Sequence, residues 1–190
     1  MEHGKIVFDG DPDKAIEIYM PKANEEAYQD IWHFDSLVRP AHLASDDFRI
    51  ESFIFAGIGG FEIPAGTQLQ FNLQINAKKD NEFLCFRTIL YYEDDTPIGM
   101  ASSEVGSIYV RAGDNLFYGS VPTETLAPGD YKLKLVLYEV NGYGSEMHHD
   151  IIDRIVLFSI KGEKTVNGLS WQHTWWGHSM IGNLTINVLD

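Results

Sequence analysis

Three indoles fall within six residues in the run Trp171-Gln172-His173-Thr174-Trp175-Trp176-Gly177-His178. An indole offers a flat surface on which the apolar C–H face of a pyranose stacks, while neighbouring amides and imidazoles bond its hydroxyls. Trp171 and Trp175 are therefore candidate ligand contacts. The competing use is packing, at an open end of the domain or at a subunit seam, where Trp is also common. A second candidate lies in the runs Phe83–Tyr92, Pro97–Ser103 and Tyr131–Val140, whose outward face would carry Arg87, Tyr91, Met100, Ser102, Val136 and Tyr138. A cation between aromatics in mid-strand is costly unless it meets solvent or an anion. Arg87 could hold a phosphate or carboxylate with two parallel bonds, or pair with one of the chain's own acids. A third candidate is the segment Asn141–Asp150, read as a loop made pliable by Gly142 and Gly144, from which Tyr143 and His148 could close over a ligand.

Other chemistries find less support. His148-His149-Asp150 contains metal-ligating types, but adjacent residues of an extended chain point to opposite sides, so no metal site is assigned. The chain has 28 acids, yet none stands in a context that suggests a raised pKa, and no catalytic pair is assigned. There is no G-x-x-x-x-G-K-[ST] phosphate loop; Gly162-Glu163-Lys164-Thr165 lacks the spacing, so this chain is not expected to hydrolyse ATP. Asn183-Leu184-Thr185 fits a glycosylation sequon that has no meaning in a cytoplasmic protein.

The elements that must position these residues are strands. Candidate strands are Phe48–Phe55, Gln68–Ala77, Phe83–Tyr92, Pro97–Ser103, Asn115–Val121, Tyr131–Val140, Ile152–Lys161 and Leu184–Leu189, and turn signals separate them. Short strands at this spacing, without intervening long helices, predict an all-β antiparallel sandwich over 47–190. In Tyr131–Tyr138 the alternation sends Tyr131, Leu133, Leu135 and Leu137 to the core and Lys132, Lys134, Val136 and Tyr138 outward. Residues 21–46 read as a connecting segment with room for a short helix over 23–33. Residues 1–20 read as a strand closed by Asp9-Gly10 and a helix opened by Asp11-Pro12, the remnant of a preceding domain.

Charge and composition narrow the partners. A formal net charge of −14 disfavours nucleic acid. One cysteine, Cys85, excludes an internal disulfide and suits a reducing compartment. No apolar run approaches the ~20 residues a membrane helix needs, and the N-terminus lacks the apolar core of a signal peptide. A cytoplasmic setting is the expectation. Leu184, Ile186 and Val188 alternate after Gly177 and Gly182; a hinge before an apolar strand favours exchange between protomers, and a homodimer is expected whether or not the strand is exchanged.

Two stretches carry a resemblance. His3-Gly4-Lys5-Ile6-Val7-Phe8-Asp9-Gly10-Asp11-Pro12 through Ala15-Ile16 to Tyr19 resembles the end of an ABC ATPase domain of the polysaccharide-export type. The region 47–190 is similar to the domain that follows this ATPase in O-antigen exporters. The resembling pieces are Phe86–Tyr92 with the Glu93-Asp94-Asp95-Thr96 turn, Leu126-Ala127-Pro128-Gly129-Asp130-Tyr131, Arg154–Ile160 and Gly177-His178. The resemblance implies an immunoglobulin-like sandwich that binds the non-reducing, often capped, end of the glycan. It also implies a homodimer, a membrane permease as partner through the missing ATPase domain, and a place at the inner membrane. ATP and Mg would belong to that ATPase; no cofactor is expected in this chain. Arg87, Tyr91, Ser102, Tyr138, Tyr143, His148, Trp171 and Trp175 form the expected ligand-binding set. A structural dimerisation domain without a ligand is the alternative.

Overall fold

A computed structural model describes residues 28–163, 165–166, 169–181 and 186. The expected ATPase remnant at 1–20 lies outside these residues, as does the strand Leu184–Leu189 apart from Ile186. Two packed sheets form the body. The first has the order β1 (Ile31–His33), β2 (Phe48–Phe55), β4 (Leu69–Ala77), β8 (Gly113–Val121). The second runs β3 (Glu62–Pro64), β10 (Glu146–Lys161), β9 (Gly129–Val140), β5 (Asn81–Tyr92), β6 (Pro97–Ser102), with β7 (Ile108–Val110) also paired to β5. A two-stranded ribbon, β11 (Thr165–Val166) and β12 (Leu169–Ser170), precedes a single helical turn, α1 (His173–Trp176).

The core follows the period-two pattern. Ile50, Phe53, Leu69, Leu73 and Ile75 from the first sheet face Leu84, Leu133, Leu135, Leu137, Ile152 and Phe158 from the second, all with almost no exposure. Burial of a branched or aromatic side chain contributes roughly 1.5–3 kcal/mol each, so this layer accounts for the main stabilisation of the fold. Tyr131 stacks on Phe158 and donates its hydroxyl to Ala127 O at 2.6 Å. That bond ties the start of β9 to the turn before it, the device that immunoglobulin-type sandwiches use at a strand corner.

Several expectations need correction. The sandwich is not wholly antiparallel: β3 runs parallel to β10, pairing Ser159 with Glu62 and Lys161 with Pro64. Residues 31–33 are a strand, not a helix, and the connecting segment supplies Trp32 and Phe34 to the core. Tyr and Trp in an acidic context hid this, because the stretch is too short to show its alternation. The second half of the segment 141–150 is strand. Its loop is the tight turn Asn141–Ser145, closed by Asn141 N to Ser145 O at 2.9 Å, and β10 starts at Glu146. A register shift between His148 and Asp150 then places His149 and Asp150 both in buried positions.

Asp150, fully buried, is the hub of a lock that sequence reasoning missed. It accepts Arg39 Nε at 2.6 Å, Ile50 N at 2.8 Å and Ile151 N at 2.9 Å. Arg39 spends its other donors on the carbonyls of Phe34, Leu37 and Ile50. His149 bridges Ser45 and Glu139. The segment 34–50 is thereby pinned across the edge of β10.

Candidate functional site

The outer face of the second sheet carries the densest set of polar side chains that the sequence singled out. Strand pairing sets it: Arg87 lies opposite Val136 on β9 and Ser102 on β6, Cys85 lies opposite Tyr138, and Tyr138 lies opposite His148 on β10. Residues from four adjacent strands thus share one face.

The Arg87 guanidinium lies over the Tyr138 ring, with Cζ 4.4 Å from its centroid. Its Nη2 is 2.6 Å from Glu146 Oε2, an ion pair without hydrogen-bond alignment, so Nε and Nη2 have no hydrogen-bond partner among the described residues. Glu146 also meets His148 Nε2 at 3.1 Å. The two contacts, Arg87 first, hold the Glu146 carboxyl below its ordinary value of 4.5. Ser102 Oγ and the Tyr138 hydroxyl are 2.7 Å apart. Met100 stands exposed beside them, its sulfur 3.7 Å from Arg87 Nη1.

The pairing with Glu146 changes what Arg87 can do. An acidic cap would have to displace an anion already in place. The patch therefore presents a compensated charge pair, which suits hydroxyl groups better than carboxylates. Tyr138 is also not the open stacking platform expected. It is 5% exposed, because Arg87 and His148 cover it and it belongs to a small cluster with Cys85, Val136 and Ile151, against which Leu43 packs. Val136 is buried in the same cluster, again against the outward expectation. The alternation was read correctly; the segment 34–47 covers that side of the sheet.

The remaining candidates lie elsewhere. Tyr143 sits at the hairpin tip next to the patch, 97% exposed and free of any packing. Tyr91 shares the Arg87 face of β5 but is four residues on, about 13 Å away at the usual strand rise. There the Arg154 guanidinium lies 5.4 Å from its ring. Trp171 and Trp175 are at the opposite end of the sandwich. Trp171 donates Nε1 to Gly177 O at 2.9 Å and packs edge-on against Trp176, whereas Trp175 is 85% exposed. Two histidines fix that end. His173 Nε2 contacts Pro128 O at 3.0 Å, His173 Nδ1 and His178 Nδ1 are 3.1 Å apart, and both rings stack near Tyr92. Burial, and secondarily His173, lowers the pKa of His178 below 6.5. Sequence reasoning missed Glu146; its acidity pointed to a loop, and only its strand position beside Arg87 gives it a role.

No group of three or more His, Cys, Asp or Glu side chains suited to a metal ion occurs among the described residues. No helix of the described residues is long and apolar enough to cross a membrane.

No family model matches the sequence, and no curated protein matches it. Among solved structures, the crystal structure of the C-terminal domain of Wzt is similar over 85% of this chain and 92% of that one, with a TM-score of 0.61 and 14% identity. The chain thus has the β-sandwich fold of the Wzt C-terminal domain.

Proposed function

We propose that this domain binds the non-reducing end of an O-antigen type polysaccharide and so gives an ABC exporter its substrate recognition. The observation that carries the reading is the patch around Arg87. A guanidinium stacked on Tyr138 and paired with Glu146 is ringed by Ser102 and His148, beside a hairpin tipped by the exposed Tyr143. Such a surface offers hydroxyl-binding groups of both kinds, donors and acceptors, with which it can hold a sugar. The likeness to the Wzt C-terminal domain and the ATPase-like sequence before the sandwich support the exporter setting. The ATP- and Mg-binding functions would reside in that ATPase, and a membrane permease would be reached through it. The domain would then work at the cytoplasmic face of the inner membrane.

Shallow single sites for sugars are weak. Millimolar affinity corresponds to about 4 kcal/mol, and two sites on a dimer tethered near the polymer make that sufficient. Calorimetric titration with capped and uncapped oligosaccharides tests the reading. Binding of the intact terminus is expected, with Arg87→Met weakening it about tenfold or more, equivalent to ~1.4 kcal/mol. Equal binding by wild type and Arg87→Met would remove the site, and equal affinity for capped and uncapped ends would remove recognition of the cap.

A second reading has its own observation. Trp175, Leu169, Ile181 and Ile186 are all exposed apolar side chains in the C-terminal region. A dimer seam would cover them. A ligand-free dimerisation domain predicts that Trp175→Ala shifts light scattering toward monomer, while Arg87→Met leaves export unchanged.

A further inference from the structure

The last strands of the two sheets, β8 and β6, lie on the same side of the sandwich, and no strand of the described residues closes the gap between them. The gap is a cleft of about 320 Å³, within reach of the ~300–1,000 Å³ usual for small-ligand sites. Phe71, Phe86 and Phe117 line it, and no charged side chain does. Gly119 shapes one wall: a Cβ there would stand 2.5 Å from the Phe71 ring, so only glycine lets the ring lie flat against β8.

At the inner end of the cleft is Thr88. It is 2% exposed, its strand alternation turns it inward with Phe86 and Leu90, and its hydroxyl has no partner among the described residues. Valine would fill the same space without a hydroxyl to leave unpaired, and an unpaired buried hydroxyl is costly. Ser107 and Ser120 add hydroxyls at the mouth. The composition is that of a sugar subsite: aromatic walls for C–H faces, hydroxyls for hydroxyls, and no charge to attract an acidic residue. Ser102 lines this mouth while holding the Tyr138 hydroxyl on the outer face, so the cleft and the Arg87 patch meet at β6.

We infer that the inter-sheet cleft is a second subsite that takes one neutral pyranose residue of the polymer, with Thr88 as its inner hydrogen-bond partner. This rests on the glycan-binding reading above. The test is methyl-resolved NMR of the full chain titrated with neutral methyl pyranosides and the matching uronates. Neutral pyranosides are expected to move the methyl signals of Thr88, Ile108 and Val121. The uronates should bind more weakly, and Thr88→Val should weaken the neutral sugar about three- to tenfold, the value of one hydrogen bond, without loss of fold. Shifts confined to Met100 and Ile151 on the outer face would overturn the subsite and leave the glycan reading standing. No shift anywhere would overturn both. A Thr88→Val variant that binds as wild type, or a second copy of the chain detected in the cleft by cross-saturation, would also overturn the subsite.

Discussion

Replacing Asp150 with Asn changes one atom and tests the buried lock. The carboxylate accepts three donors, from Arg39, Ile50 and Ile151, at 2.6–2.9 Å and is fully buried. An amide keeps one oxygen. Its NH2 must face either the Arg39 guanidinium or a backbone N–H, a donor against a donor. One charge-assisted bond is lost, worth roughly 1.5–3 kcal/mol. Arg39, whose side chain is 10% exposed, then keeps its charge with only carbonyls and no anion within reach. Removing one partner of a buried pair typically costs about 3–5 kcal/mol, and the remaining carbonyl contacts argue for the lower half of that range. For a domain of this length, 1 kcal/mol moves Tm by about 2–4 °C, so Asp150→Asn should lower Tm by about 6–16 °C. Urea titration should show a lower midpoint at unchanged slope. The double variant Arg39→Met with Asp150→Asn should lose less than the two single changes together, because the charge that Asp150→Asn strands on Arg39 is gone while the amide still accepts one backbone N–H; Arg49, 3.6 Å from the carboxylate, is common to both. A loss below about 1 kcal/mol for Asp150→Asn, or a double variant no better than the sum of the singles, would refute the assignment of this pair as a coupled lock.

Three further outcomes are expected. Thr123, fully buried, accepts Leu69 N at 2.9 Å and donates to Thr67 O at 2.8 Å, so Thr123→Val should cost about 1–3 kcal/mol in thermal or urea unfolding by orphaning the Leu69 amide. The Glu146 carboxyl is held low mainly by Arg87, so its folded-state contribution is present above 4.5 and is lost as pH falls through the lower folded value; Arg87→Met should raise its midpoint in carbon-detected NMR titration, and an unmoved midpoint would disprove the pairing. The His178 pKa lies below 6.5 because burial disfavours its charged form, so docking of the C-terminal turn is favoured above 6.5 and weakens as pH falls through the folded value; proton NMR of the ring should show that low midpoint, and His173→Gln should raise it.

How much of this was legible in the sequence differs by residue. Tyr131-Lys132-Leu133-Lys134-Leu135 announces a strand with one buried face, and the structure buries those same tyrosine and leucines. That signal is local, since the strand period of two needs no knowledge of neighbours. Residues 31–33 gave no such signal because three residues cannot show a period; β2 recruits them by pairing. Glu146 and Asp150 looked like loop acids. Their roles come from partners 59 and 111 positions away, Arg87 and Arg39.

What the amino-acid order decided by itself is therefore the β class, the core residues of the long strands and the inventory of site-forming types. Tertiary structure alone decided which of these meet. It set β5 between β9 and β6, so that Arg87, Tyr138 and Ser102 converge while Tyr91 and the tryptophans do not. It laid the 34–47 segment over Tyr138, and it left the edges β6 and β8 open around Thr88. The physical reason is that alternation fixes a side chain's face from its own strand, whereas coverage and partnership depend on strand order and bulge register, which are set by contacts distant in sequence.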